Sequence, residues 1–116
     1  MTPQQLEHFR ELLEAQRQAL LATSDAARDS TKPVQLDQAS VGRLSRMDAM
    51  QGQAMAIETQ RRRDIQSRRI HAALARMQNG DYGLCTACEE EIALARLQAD
   101  PATALCIACA ARQERP

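Results

Sequence analysis

The sequence predicts a mainly α fold: a long antiparallel helical hairpin of coiled-coil type, with a small four-cysteine module at its C-terminal end. Three observations carry this expectation. Apolar residues recur at helical spacing in two stretches, about 6–27 and 41–77, on either side of a polar break that contains Pro33. The 116 residues are rich in Ala, Leu, Gln, Arg and Glu and hold one Phe, one Tyr and no Trp, which suits long helices better than a large globular core. All four cysteines lie between positions 85 and 109, as two C-x-x-C pairs.

The first helix is expected over about 3–29. Thr2 can cap it, Pro3 fits the first helical position, and Gln5 completes a capping box. Leu6, Phe9, Leu13, Gln16, Leu20, Thr23 and Ala27 then step by threes and fours, a heptad seam weakened by two polar positions. Such a seam requires a partner.

The run "ARDSTKPVQLD" ends the pattern, because Pro33 lacks a backbone donor and disfavours helix at Lys32. It reads as the hairpin tip, about 30–39. A second helix follows over about 40–78, capped by Asp37 or Ser40. Val41, Leu44, Met47, Met50 or Gln51, Ala54, Met55, Ile57, Ile65, Ile70, Ala73, Leu74 and Met77 supply its apolar positions, and the seam breaks across "ETQRRRD", 58–64. Asn79 and Gly80 provide the stop. The domain division is therefore 1–79 for the hairpin and 80–116 for the cysteine module, with a short C-terminal helix. The second helix outlasts the first, so its far end needs cover, and the module is the candidate to supply it.

Cys85 and Cys88 form one pair and Cys106 and Cys109 the other. Two-residue gaps let each pair turn both sulfurs toward one ion, and four thiolates close a tetrahedral Zn2+ shell. No position is left for water or substrate, so the zinc is expected to be structural. A module of this size also buries too little apolar surface to fold dependably without such a staple. A dithiol redox centre is the rival reading, but two pairs at zinc-ribbon spacing favour metal. Between the pairs, residues 89–99 have helical spacing, with Ile92 and Leu97 toward the base and acids near the start; Asp100-Pro101 ends the run.

Fifteen acidic residues balance fifteen basic ones, which argues against a protein that binds nucleic acid mainly through its phosphates. No apolar run approaches the roughly 20 residues that cross a bilayer, and "MTPQQLEHFR" lacks the order of a secretory signal, so a cytoplasmic protein is expected. His8 and His71 read as surface or seam residues. No nucleophile with a base, phosphate loop or carboxylate pair stands out, and an enzyme is not expected.

The segment "GDYGLCTACEEEIALARLQADPATALCIACA" closely resembles the zinc finger of the DksA/TraR family of bacterial transcription factors. Gly80, Tyr82, Gly83, Ile92, Arg96, Leu97, Ala99 and Pro101 match in addition to the cysteines. The resemblance implies a monomeric regulator that binds RNA polymerase directly, without sequence-specific DNA binding. Its hairpin would enter the secondary channel, tip toward the catalytic centre.

A family tip reads D-x-x-D-x-A. Here "VQLDQAS" supplies Asp37 and Ala39, while Val34 replaces the first aspartate; Asp48 is an alternative acid, and Asp37 equally reads as a helix cap. Arg62 and Arg69 stand at the family's basic channel-rim positions, although such a run also reads as a solvated face with Glu58 and Asp64 pairing locally. Asp100 and Ala110 replace basic residues linked to ppGpp, so only weak ppGpp synergy is implied. Two other functions remain open on the residues alone: a zinc-ribbon nucleic-acid-binding protein and a redox-responsive zinc interaction module.

Overall fold

The first helix opens with the reciprocal bonds that its sequence calls for. Gln5 N–H donates to Thr2 Oγ1 at 3.1 Å and Thr2 N–H to Gln5 Oε1 at 2.9 Å, so α1 (Pro3–Thr31) begins on a capping box. The computed structural model describes residues 1–31 and 43–114; most of the expected tip, and the start of the second helix, lie outside them. Helix α2 (Arg43–Asn79) ends in a Schellman motif. Gly80 takes φ of +80°, Asp81 N–H donates to Arg76 O at 2.8 Å, and Gly80 N–H lies 3.3 Å from Met77 O. Two short helices follow, α3 (Leu94–Ala99) and α4 (Ile107–Glu114). Among the described residues the only β pairing is an isolated antiparallel bridge between Leu84 and Glu91.

Helix was expected from residue 89, and only its second half forms. After the first cysteine pair the chain doubles back on 83–85: Cys85 N–H donates to Glu90 O and Ile92 N–H to Gly83 O, both at 2.8 Å. Glu89 adopts φ of 65° to make the turn. Three glutamates thus lie on a return arm, because the knuckle's backbone bonds outweigh a modest helix propensity. Ile92 and Leu97 nevertheless point inward as expected, at 4% and 0% exposure.

The chain groups into two compact units, Met1–Gln18 with Ser67–Pro116, and Ala19–Gln66. In the first, the start of α1 lies against the end of α2 in antiparallel order, with Pro3 and Leu6 sharing a groove with Leu74, Met77 and Gln78. Phe9, Leu13, Ile70 and Ala73 are buried here, together with Tyr82, Ile92 and Leu97 from the cysteine module. The sequence's one Phe and one Tyr meet, with Phe9 and Tyr82 ring centroids 6.0 Å apart.

No described side chain of the second unit is buried. Its less exposed α2 positions are Ala49, Gln53, Ala56, Glu58, Gln60, Arg63 and Gln66, whereas Met47, Met50, Met55 and Ile57 face solvent. This departs from the sequence expectation, which counted those methionines and Ile57 toward the seam. The reason is helical phase: stepping back by sevens from fully buried Ile70 gives Arg63, Ala56 and Ala49, so the well-packed end sets the face. One cost is visible in Gln60, whose Nε2 donates to Asp64 Oδ1 at 3.0 Å while its buried Oε1 has no partner.

Stability should therefore reside in the first unit. Leu13→Ala is expected to lower the unfolding free energy by about 3 kcal/mol, and Met50→Ala by less than about 0.5 kcal/mol. Urea unfolding of the zinc-loaded variants measures both.

Candidate metal centre

Each cysteine is placed by backbone geometry that the intervening residues dictate. Gly83, with φ of +89°, begins the first knuckle at a conformation that a side chain would strain. Cys85 O accepts Glu89 N–H at 2.9 Å and closes the loop around Cys88. The second pair opens α4, and Cys109 N–H approaches Cys106 Sγ at 3.5 Å, the kind of contact that steadies a thiolate. Thr86 joins the two knuckles, donating N–H to Ala104 O at 2.9 Å and its hydroxyl to the same oxygen at 3.3 Å.

All four Sγ atoms lie within 4.8 Å of one another. A tetrahedral Zn–S shell of about 2.3 Å bond length has edges of about 3.8 Å, and the Cys88 and Cys106 sulfurs are 3.8 Å apart. The cysteines are free rather than disulfide-bonded. The thiols are electrostatically unequal: backbone N–H groups, that of Cys106 foremost, pull Cys85 down to about 6, whereas the side chains of Cys106 and Cys85 push Cys109 up to about 12. One thiolate therefore forms readily and the last is opposed by those already present. Cys85, Cys88, Cys106 and Cys109 would hold a divalent cation as thiolates, its charge offsetting that opposition. The donor set fits one structural zinc ion, with no ligand position open for chemistry.

The cluster is seated on a loop, 100–105, whose carbonyls are taken up by side chains from three directions. Buried Tyr82 donates its hydroxyl to Pro101 O at 2.8 Å, Arg96 Nε to Leu105 O at 2.9 Å, and Arg76 Nη2 approaches Thr103 O at 3.5 Å. Tyr82, Arg96 and Pro101 belong to the motif quoted above, and these bonds are the physical content of that motif. Arg76 and Thr86 were not singled out from sequence. Thr86 carried a weak signal as the polar residue inside the first pair, and Arg76, in the last turn of a helix, carried none.

Other expected site residues are placed as follows. Asp37 and Ala39 lie outside the described residues. Arg62 is 78% exposed, its Nε 3.5 Å from Glu58 Oε1, which also pairs with Arg61 at 2.7 Å. Arg69 Nη2 donates to Asp100 Oδ2 at 2.6 Å. His8 Nε2 and Gln98 Oε1 are 2.8 Å apart, linking α1 to α3 at the surface.

Comparison with known proteins places this geometry. Residues 80–115 match the prokaryotic dksA/traR C4-type zinc finger. The chain is 30% identical to the RNA polymerase-binding transcription factor DksA of Caulobacter vibrioides, over 99% of this chain and 80% of that protein. It is 33% identical to the protein of the same name from Escherichia coli K12, over 94% of this chain and 71% of that one. Among solved structures it is similar to transcription factor DksA2 from Pseudomonas aeruginosa, with a TM-score of 0.79 and 32% identity, covering 98% of this chain and 86% of that one.

Chelation of zinc should unfold the cysteine module and expose Tyr82, and Cys88→Ser should weaken metal retention at least about tenfold; tyrosine fluorescence with a chromogenic zinc assay reads both. Burial raises the Tyr82 phenol to about 12, against about 10 when unfolded. The unfolded state then gives up the proton first, so stability should fall as pH rises from about 10 to 12. Tyr82→Phe removes that slope, at a cost of about 1 kcal/mol at neutral pH from the lost bond to Pro101, as seen by chemical denaturation across pH.

Proposed function

The chain belongs to the DksA/TraR family, and on that footing we propose that it is a transcription regulator that binds bacterial RNA polymerase directly, inserting its helical tip into the secondary channel. The observation that carries this reading is the extent of the likeness. The relatives named RNA polymerase-binding transcription factor match along 94–99% of this chain, both long helices included, and not along the zinc finger alone. A zinc ribbon acting on nucleic acid by itself gives no account of the helices, and the balanced charge argues against phosphate-driven binding.

In this reading Cys85, Cys88, Cys106 and Cys109 hold the zinc that steadies the base. Asp37 and Ala39 form the working end of the tip, where a carboxylate in a water-poor channel acts strongly on nearby charge. Arg62 and Arg69 meet the channel rim. With Val34, Asp100 and Ala110 at positions where ppGpp-responsive relatives differ, the regulator works with little help from ppGpp. It acts as a cytoplasmic monomer and has no catalytic role of its own. Among the described residues, no helix is long and apolar enough to cross a membrane.

Core RNA polymerase is expected to retain the purified zinc-loaded protein. Asp37→Asn should keep zinc and helicity yet bind about tenfold more weakly; affinity chromatography with circular dichroism on the same samples decides. A wild-type chain that passes through unretained overturns the reading.

A further inference from the structure

Arg69 is one of two arginines assigned to the polymerase rim, yet it already holds a carboxylate of its own chain. The Arg69 to Asp100 bond, at 2.6 Å with the side chains 40% and 42% exposed, joins residues 31 apart in sequence. The other ion pairs described, such as Arg10–Glu7, Arg17–Glu14 and Arg61–Glu58, are one-turn pairs that an exposed helix makes anywhere.

Asp100 is also held in place for this role. Its N–H donates to Arg96 O at the end of α3 at 2.9 Å, and its Oδ1 accepts Ala102 N–H at 3.3 Å, leaving Oδ2 for Arg69. Close by, Arg76 reaches Thr103 O in the same loop, its own charge disfavoured first by burial and further by Arg69. Two guanidinium groups thus converge on residues 100–103, where Asp100 supplies a counter-ion.

We infer that Asp100 is an internal competitor for Arg69 and so sets how tightly this chain engages an acidic protein surface on its partner. The inference rests on the polymerase reading above. A partner carboxylate that approaches Arg69 meets a guanidinium already neutralised by Asp100, so it either displaces that bond for another of the same kind or shares one positive charge with a second acid, and both leave little net gain. Either way Asp100 stands beside the incoming acid, where like charges repel. The partner chemistry implied is a carboxylate-bearing protein surface, and Asp100 is a specificity-determining residue for it rather than a contact.

The test is affinity for core RNA polymerase, with zinc content and thermal midpoint recorded for each full-length variant. Asp100→Asn preserves the bond to Ala102 N–H and removes the competing charge. It should tighten binding about three- to tenfold, on the scale of one freed charge-assisted bond. Arg69→Ala should weaken wild-type binding less than about threefold, because the competitor has already discounted that arginine, and Arg69→Ala with Asp100→Asn should match Arg69→Ala alone. The exchange of the two residues, Arg69→Asp with Asp100→Arg, keeps opposite charges at the two positions, at the cost of the bond from Ala102 N–H, while putting an acid on α2; it should bind more weakly than Arg69→Ala. Asp100→Asn binding no tighter than a retained wild type, a gain that survives loss of Arg69, or an exchanged pair that binds like wild type each overturns the inference and leaves the polymerase reading standing. A wild-type protein that polymerase does not retain overturns both. Should Asp100→Asn lose zinc or melt early, Arg69→Ala decides: a loss of binding well beyond about threefold overturns the inference.

Discussion

Four sulfurs gathered within 4.8 Å form the constraint on which the rest of the first unit depends. Thiols at that separation cannot all ionise against one another, and left protonated they offer only weak bonds. A bound divalent cation turns this crowding into attraction. The surrounding apolar core is small, built around Phe9, Leu13, Ile70, Ala73, Ile92 and Leu97, and a core of that size leaves a loop-rich module marginal without a metal. Zinc is therefore part of the folding energy of the unit rather than an accessory to it.

From the sulfurs outward, order passes through backbone carbonyls. The segment between Asp100 and Cys106 has no helix or ladder of its own to satisfy its polar groups. Tyr82, Arg96, Thr86 and Arg76 satisfy them instead. Tyr82 then carries the constraint into the long helices by resting against Phe9, and Leu97 and Ile92 close the interior below it. In this way a zinc ion held by the four sulfurs would fix the start of α1 and the end of α2 within the unit, and a motif of scattered residues becomes a continuous set of contacts.

The second unit is built on another principle. Its α2 segment turns alanine, glutamine and arginine toward the less exposed side and leaves methionine and isoleucine outside. Gln16 in the first unit and Gln60 in the second each leave a buried amide oxygen without a partner, so the helix seam is polar where a tightly packed coiled coil would be apolar. Buried apolar contact is thus concentrated in the first unit, which holds the four cysteines, and packing among the described residues of the second is weaker.

Much of this was legible in the amino-acid order. The capping box at Thr2 and Gln5, the Gly80 stop and the paired cysteines each depend on residues a few positions apart, so local chemistry alone determined them. The zinc site belongs here too, since C-x-x-C spacing brings each half of the shell together without reference to the rest of the fold. Tertiary structure decided what local order could not. Helix was stopped from forming at 89–93 by backbone bonds to 83–85, made because the knuckle folds back on itself. The face that α2 turns inward follows the heptad positions of Ile70, and a residue one position off that face stands about 100° round the helix, which moves Met50, Met55 and Ile57 from seam to solvent. Arg69 met Asp100 only because the loop after α3 returns to α2, a contact across 31 residues that no local pattern encodes.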